Sequence, residues 1–344
     1  MKKILHIIGG LSVGGIENWL KDFINNSSDS NLEYHIFVCN NQQKEIALKV
    51  KAKKIYYTKN NNIVGCLKGI NSLLKENNFD IIHCHTDLSS GLYVLLSRYY
   101  GVEKFISHSH TDRREIEKKA SWNRKLYRFL MQKSIEKLVT TKVGVSNDAA
   151  LSLFPNTKYD VEYCGVNINI DRDFHDEQLE KIKGKKRIFH VGRFSKPKNH
   201  DFIIELAKKI DNDSIIVCLG NGVEFNRIKE KIDMNKVENI LLYGESNDVM
   251  SILYKYCDLF ILPSLWEGLP LSLVESQKLG IYSLCSENVS KESNIGLVEF
   301  LPLDVDIWIE NINKYKVDLR NKKLRNSSFT FESNYCYFYN KYYN

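Results

Sequence analysis

Short apolar runs alternate along the chain with longer stretches in which apolar residues recur at helical spacing. In the first half the runs predict strands at 4–8, 34–38, 55–57, 81–83, 105–107, 143–145 and 161–163, with helices at 63–75 and 91–100. The alternation resumes after residue 186, with strands at 188–191, 215–219, 240–243, 259–262 and 281–285 and helices at 199–210, 224–234, 247–256 and 270–279. Continuous apolar runs that alternate with helices indicate parallel sheets covered on both faces.

The two series are separated by segment 165–186, which is polar, charged and without a clear period. A chain of 344 residues is also long for one core and suits two domains of about 150 residues each. We therefore predict an α/β protein of two doubly wound, Rossmann-like domains, at 1–170 and 171–327. In such sheets ligands bind at the carboxyl ends of the strands, so two facing domains are expected to form one cleft.

Composition indicates a globular protein in a reducing compartment. Hydrophobic residues make up 43% and charged residues 26%, and the eight cysteines form no C-x-x-C pair. The apolar run near the N-terminus is only about five residues, short of an export signal, and no stretch approaches the ~18 apolar residues of a membrane span. We therefore expect a cytoplasmic protein.

The net charge of +7 is carried by the first half of the chain. Residues 113–142 hold ten basic and three acidic side chains among apolar ones, which predicts a basic amphipathic helix. Such a helix either packs on its own domain with a solvated basic face or makes peripheral contact with an anionic membrane, and both interpretations stay open. A nucleic-acid partner is not expected, because the basic segment is local and no binding module is recognisable.

Candidate ligand-binding residues follow the strands of the second half. Arg193 and Lys198 come after strand 188–191, where two cations suit a diphosphate, although surface cations are the simpler explanation. Gly220 and Gly222 follow the next strand, where glycines allow a backbone to approach a ligand closely or merely form a tight turn.

Two glutamates lie eight residues apart around the end of strand 259–262. Glu267 lies on the loop, and Glu275 lies in the second turn of a helix that Pro270 begins. A helix N-terminus favours phosphate, and carboxylates accept hydrogen bonds from ribose and sugar hydroxyls. Taken alone, Glu275 is equally explained as a glutamate that complements the helix dipole.

Taken together, these segments resemble the retaining glycosyltransferases of family 4, which have the GT-B fold. The matching motifs are V-G-R-F-x-x-x-K-N at 191–199, G-x-G at 220–222 and E-G-L-P-L-S-L-V-E at 267–275. Gly14-Gly-Ile-Glu17 also resembles the G-G-x-E loop that follows the first strand in that family. The resemblance covers nearly the whole chain and is strongest over 187–285.

The resemblance implies residue roles. Arg193 and Lys198 would bind the donor diphosphate and offset the charge on the leaving nucleotide, which is electrostatic catalysis. Glu275 would hold the ribose, and Glu267 would contact the transferred sugar or its phosphate. The remaining residues of the expected donor site are Gly14, Gly15, Gly192, Gly220, Gly222, Gly268 and Leu269.

Histidines supply the expected reacting centre of the first domain. His108 matches the family's strand-end histidine, and His110, two residues further on, is the alternative. The expected catalytic set is His108, Glu267, Arg193 and Lys198. The expected acceptor-side residues are His85, His110, Arg113 and Arg114.

No metal or other cofactor is expected. His83 and His85 share one face of a strand, but no third ligand is apparent in the sequence. Asp171-Arg-Asp173 and Asp304-Val-Asp306 imitate a D-x-D metal motif, yet neither follows a predicted strand.

The resemblance implies transfer of a sugar from a nucleotide-sugar, with UDP-sugar expected and GDP-sugar the alternative. The expected acceptor is a glycan or a polyprenyl-diphosphate-linked glycan of capsule or O-antigen synthesis. Two other functions stay open: a nucleotide-sugar 2-epimerase and a non-catalytic, nucleotide-binding partner subunit. The aromatic tail, 328–344, is expected to form a helix that crosses back to the first domain, with membrane contact as the alternative.

Overall fold

The computed structural model describes residues 1–11, 15–27, 29–40, 49–118, 120–315 and 329–343, which form two compact units. Unit 1 comprises Met1–Gly165 and Phe329–Asn344, and unit 2 comprises Val166–Ser328. The division lies five residues before the predicted boundary, because Ile168 and Ile170 pack against the core of unit 2. Segment 165–186 is therefore largely a packed part of unit 2, which the absence of periodicity concealed.

Unit 1 contains a seven-stranded sheet in the order β3-β2-β1-β4-β5-β6-β7, with parallel pairings. Its strands are β1 (Lys2–Ile8), β2 (Leu32–Val38), β3 (Lys54–Tyr57), β4 (Ile81–Cys84), β5 (Lys104–Ser109), β6 (Thr141–Gly144) and β7 (Asp160–Val161). Its helices before the domain boundary are α1 (Gly15–Asn25), α2 (Ile63–Glu76), α3 (Ser90–Tyr99), α4 (Arg114–Lys118), α5 (Trp122–Leu138) and α6 (Asn147–Leu153).

Unit 2 contains a six-stranded parallel sheet in the order β10-β9-β8-β11-β12-β13. Its strands are β8 (Lys186–Val191), β9 (Ser214–Leu219), β10 (Ile240–Gly244), β11 (Leu259–Leu262), β12 (Ser283–Ser286) and β13 (Val298–Leu301). Its helices are α7 (Glu177–Glu180), α8 (His200–Lys209), α9 (Phe225–Met234), α10 (Val249–Tyr256), α11 (Leu271–Lys278) and α12 (Val305–Lys314). The last described helix of the chain, α13 (Phe331–Tyr343), packs on unit 1.

The prediction of two doubly wound α/β domains is confirmed. Strand β9 is buried along its whole length, and α8 buries Ile203, Ile204 and Leu206 on one side, as its apolar spacing indicates. Strand order reverses between β1 and β4 in unit 1 and between β8 and β11 in unit 2. These reversals are where open α/β sheets bind ligands, so the residues after these strands define the candidate site.

Strand β13 was not predicted from the sequence, and Asp304 was therefore expected not to follow a strand. In the structure Asp304 does follow a strand, β13. Its carboxylate, however, accepts hydrogen bonds from the backbone N–H groups of Asp306 and Ile307 and caps α12. The imitation of a D-x-D motif here is therefore explained as a helix cap.

Candidate functional site

An ion pair marks the carboxyl edge of the unit 2 sheet, where β8 and β11 end. Lys198 Nζ lies 2.6 Å from Glu267 Oε1, and both side chains are about 15% exposed. Ser264 donates a hydrogen bond of 2.8 Å to the same oxygen. The pair joins the loop after β8 to the loop after β11, so the lysine that the V-G-R-F motif predicted is held in a fixed place.

Two glycines allow the loops after β8 and β9 to touch through their backbones. Gly220 has φ +134°, and a Cβ there would lie 2.1 Å from the carbonyl oxygen of Gly192. A Cβ at Gly222 would lie 2.4 Å from the carbonyl oxygen of Phe194. From the sequence, these glycines were expected to allow approach by a ligand or to form a tight turn. In the structure a side chain at either position would collide with the neighbouring protein loop, which is a reason for glycine independent of any ligand.

The other expected donor residues surround this edge. Arg193 is exposed, whereas Gly268 and Leu269 are buried. Glu275 is partly exposed and lies in the second turn of α11. Pro270 was predicted as the first residue of this helix, but the helix begins one residue later, at Leu271, and Pro270 is its N-cap. Cations beside a helix N-terminus are suited to an anionic phosphate group.

Unit 1 has a different arrangement at its carboxyl edge, which we call the histidine cluster. Its members come from or directly follow β1, β4 and β5 and are all buried: His6, His83, His85, His108 and His110. No third ligand for His83 and His85 is apparent in the sequence. The structure places three more histidines beside them, because β4 pairs with β1 on one side and β5 on the other.

Hydrogen bonds connect the histidine cluster in two chains. In the first, His6 Nδ1 lies 3.1 Å from His85 Nε2, and His85 Nδ1 lies 2.9 Å from His110 Nε2. In the second, His83 Nε2 lies 3.3 Å from His108 Nδ1, and His83 Nδ1 lies 2.8 Å from the hydroxyl of Tyr342 in α13. Each imidazole is therefore oriented by at least one neighbour.

Burial keeps these imidazoles neutral. It lowers the pKa of His6 and of His110 to about 3 and the pKa of His83, His85 and His108 well below the usual value. A neutral imidazole offers one N–H donor and one lone pair, so the cluster is suited to hydrogen bonding or metal ligation and unsuited to binding anions by charge.

His110 is better placed than His108 to meet a substrate. His108 is 0% exposed, with the rings of Trp19 and Phe338 at 5.5 and 5.2 Å. His110 is the first residue after β5 and is 8% exposed. The sequence favoured His108 through its strand-end position, whereas burial favours His110, with His85 beside it at 5% exposure.

The two acceptor-side arginines make internal ion pairs. Arg114 contacts Asp112 at 2.8 Å and Asp148 at 2.5 Å, and Arg113 lies 3.5 Å from Asp87. Arg114 is engaged by a carboxylate on both sides, and its contact with an acceptor stays a prediction. Asp87, which no motif indicated, combines a positive φ of 48° with a carboxyl whose pKa burial raises to about 6.

Of the two glycines expected in the N-terminal loop, only one is among the described residues. Gly14 lies outside the described residues, and Gly15 is the first residue of α1. Residues that the sequence analysis missed entirely are His6, Trp19, Asp87, Asn334 and Tyr342. No local pattern marks them, because each acquires its neighbours only through the sheet order or the return of α13.

Comparisons with known proteins agree with this geometry. A family model described as glycosyl transferases group 1 matches residues 171–294, and one described as glycosyl transferase 4-like matches residues 14–142. The capsular polysaccharide biosynthesis glycosyltransferase CapH of Staphylococcus aureus is 31% identical over 314 residues, 86% of this chain and 84% of that protein.

An Escherichia coli UDP-Gal:alpha-D-GlcNAc-diphosphoundecaprenol alpha-1,3-galactosyltransferase is 32% identical over 236 residues, 62% of this chain and 59% of that protein. The crystal structure of Anabaena HepE with UDP-glucose has a TM-score of 0.75 at 13% identity, covering 100% of this chain and 96% of that one, which shows likeness of fold.

The chain belongs to the family 4-like glycosyltransferases of the GT-B fold. The predicted family and enzyme class are confirmed, and glycosyl transfer replaces the epimerase and partner-subunit alternatives.

Proposed function

We propose that this glycosyltransferase moves a sugar from a UDP-sugar to a polyprenyl-diphosphate-linked or other glycan acceptor during assembly of a cell-surface polysaccharide. One similar protein is named for capsular polysaccharide biosynthesis and another for a UDP-galactose donor and a diphosphoundecaprenol acceptor. The UDP-glucose bound by the structural neighbour supports a uridine donor. In this chain, the ion pair of Lys198 and Glu267 at the carboxyl edge of the unit 2 sheet carries the proposal.

The donor diphosphate is proposed to bind at Arg193 and Lys198, beside the N-terminus of α11. Positive charge there attracts the phosphates and stabilises the charge that develops on the leaving UDP. Because these groups supply the charge, we propose that no metal ion is needed at the diphosphate. Both described contacts of Glu267 use Oε1, which leaves Oε2 to accept from a sugar hydroxyl, and Glu275 is proposed to hold the ribose.

The transfer is proposed to retain the anomeric configuration. The acceptor oxygen bonds to the anomeric carbon while the bond from that carbon to the UDP oxygen breaks on the same face. The acceptor proton passes to an oxygen of the leaving phosphate. His110 is proposed to hydrogen-bond a substrate hydroxyl, because its imidazole is neutral and partly exposed at the end of β5.

The experiment for the donor is thermal stabilisation by UDP, GDP and their sugars. UDP at 100 times its dissociation constant should stabilise the protein by about 2.7 kcal/mol, and Lys198→Ala should lose most of this shift. Lys196→Ala is the matched control, because Lys196 is exposed in the same loop. A shift with GDP-sugars only would overturn the uridine donor, and an equal shift in both variants would overturn the assignment of Lys198. Product anomer analysis by NMR tests retention.

Helix α5 of unit 1 supports a proposed peripheral contact with the cytoplasmic face of the membrane. Its inner side buries Met131 and Ile135, whereas large apolar side chains on the opposite side are 43–73% exposed. These exposed side chains are Trp122, Leu126, Phe129 and Leu130. Lys125 and Lys133 are exposed among them, which suits an anionic lipid surface. Within the described residues, no helix is both long enough and apolar enough to cross a bilayer.

Vesicle pelleting tests this contact. Wild-type protein should sediment with phosphatidylglycerol vesicles, and the double variant Trp122→Ser/Phe129→Ser should stay in the supernatant. The control is Val223→Ser/Met234→Ser, which removes two exposed apolar side chains from unit 2. Equal sedimentation of all three proteins would overturn the role of α5. Arg113 and Arg114 are poorer targets, because their substitution also breaks ion pairs within unit 1.

A further inference from the structure

We propose that the histidine cluster of unit 1 binds one divalent transition-metal ion through His85, His108 and His110. One ring nitrogen from each of these residues lies within 4.8 Å of the other two. Tetrahedral zinc with Zn–N bonds of about 2.0–2.1 Å requires nitrogens about 3.3 Å apart, which shifts of a few tenths of an ångström to about 1 Å in the side chains would supply. Imidazole is a common ligand of zinc and of other late first-row metals.

The hydrogen bonds identify the ligand atoms. His85 Nδ1 and His110 Nε2 already lie 2.9 Å apart. His108 Nε2 is buried and, like His6 Nε2 of this cluster, finds no hydrogen-bond partner among the described residues. A buried ring nitrogen without a partner is uncommon and requires an explanation. A metal held by His85 Nδ1, His108 Nε2 and His110 Nε2 supplies one.

The same ligand set places hydrogen-bond partners behind the ligands. His85 Nε2 lies 3.1 Å from His6, and His108 Nδ1 lies 3.3 Å from His83, which in turn contacts Tyr342. Metal-bound histidines usually donate their second ring N–H to such a partner, which fixes the tautomer and the ring orientation. His6 and His83 are therefore assigned as positioning residues, outside the ligand set.

A second group of three, His6, His83 and His85, also brings nitrogens within 4.8 Å of one another. His6 and His83 are 0% exposed, and the rings of Phe23 and Tyr34 lie 6.4 and 5.9 Å from that of His6. The outer group has an approach from outside, because His85 and His110 are 5% and 8% exposed. Entry of an ion and a fourth oxygen ligand therefore favour the outer group.

Three imidazoles with an open fourth position are the donor set of a zinc site that also takes a water or a substrate oxygen. An acceptor hydroxyl or phosphate oxygen is assigned to this position, and this assignment, unlike the metal site, rests on the proposed function. The ligands of the metal site belong to unit 1, whereas Arg193 and Lys198, which are proposed to bind the donor diphosphate, belong to unit 2.

Metal binding is measured on the full-length protein after chelation and gel filtration. Zn²⁺ and Co²⁺ are titrated, bound metal is counted by elemental analysis, and Co²⁺ is followed by the visible absorption of tetrahedral sites. We expect one ion per chain in the wild type and at least a 100-fold weaker affinity in His110→Ala and in His108→Ala. His6→Ala should weaken binding about 10–100-fold, as loss of an outer hydrogen-bond partner does.

His35→Gln is the matched control, because His35 is also a buried strand histidine of unit 1 but lies outside the cluster. It should keep the full metal content, and metal-free thermal unfolding shows whether each variant is folded. No ion bound by the folded wild type, or equal binding in His110→Ala, would overturn the proposal. Loss in His6→Ala with retention in His110→Ala would move the site to the inner group and overturn this ligand set. UDP stabilisation of the same proteins reports separately on the proposed function.

Discussion

The carboxyl edges of the two parallel sheets carry different chemistry on the same topology. In unit 2 the edge is charged, with Lys198 and Glu267 paired and Arg193 exposed nearby. In unit 1 the edge is built from five neutral, buried imidazoles packed among aromatic rings. A charged edge favours a phosphate group, whereas a neutral one favours hydroxyls or a metal ion. Strand order decides where a site forms, and the side chains decide what it binds.

The residues of each edge are also kept in place within their own unit by different contacts. In unit 2, Gly192 and Gly220 let two loops contact each other through their backbones. In unit 1, α13 returns from the end of the chain, and its residue Asn334 accepts a hydrogen bond of 2.7 Å from the indole of Trp19. The first device depends on the absence of side chains, and the second depends on buried polar and aromatic side chains.

The largest expected effect comes from removing the cation of the charged edge. Lys198→Ala should lower kcat/KM by about 10²–10³-fold, since a group that stabilises the leaving charge typically contributes this much. Steady-state transfer from the UDP-sugar, with Lys196→Ala as control, measures it. If His110→Ala weakens UDP binding as much as Lys198→Ala does, the proposed division of roles between the two edges is wrong.

The next effect concerns the backbone contact. Gly220→Ala should destabilise unit 2 by about 3 kcal/mol or more, because its φ of +134° is strained for alanine and the new Cβ meets a carbonyl oxygen. Denaturant unfolding followed by far-UV circular dichroism measures the loss. Gly184→Ala is the control, since a Cβ there meets no described atom within 4 Å. Equal midpoints for both variants would show that the loops separate easily.

A somewhat smaller effect is expected where α13 packs on unit 1. Asn334→Ala should destabilise this unit by about 2 kcal/mol, because the buried indole N–H of Trp19 loses its acceptor. The unfolding midpoint, followed by tryptophan fluorescence, should shift to lower denaturant concentration. The control Asn235→Ala, at an exposed asparagine directly after α9, should have nearly the wild-type midpoint. An unchanged midpoint for Asn334→Ala would mean that water replaces the acceptor.

The smallest effect is expected from an ion pair of unit 2 that lies away from the carboxyl edge of the sheet, between Asp201 and Arg227. Hydrogen bonds from Arg227 lower the pKa of Asp201 to about 2. A lowered carboxyl pKa adds stability above the unfolded value, which is lost as pH falls from about 4 towards 2. Because the pair is over 40% exposed, Asp201→Asn should cost below about 1 kcal/mol at pH 7. The difference in unfolding free energy between wild type and Asp201→Asn should be smaller at pH 3 than at pH 7. An equal difference at both pH values would rule out this titration.

Much of the fold and part of the site follow from local sequence patterns. Every predicted strand is found within a few residues of its place, and β13 alone among the described strands was not foreseen, because Val298–Leu301 is short and only half-buried. The donor-edge residues Arg193, Lys198 and Glu267 were identified because they lie in loops that follow strands, and Glu275 because it lies near the start of the helix after the last of these loops. Periodicity and strand ends are properties of consecutive residues, so they can be read directly.

Contacts between distant residues were decided by the tertiary structure. His6 meets His85 because β1 pairs with β4, and Gly220 meets Gly192 because β9 pairs with β8. Tyr342 reaches His83 across 259 positions of the chain, through the return of α13. Burial made the imidazoles neutral and closed His108 while leaving an edge of His110 exposed. By itself the sequence determined the order of elements and the residue types at each strand end, since these are local. Only the structure decided which strand ends become neighbours and which side chains water reaches, because both depend on the packing of the whole unit.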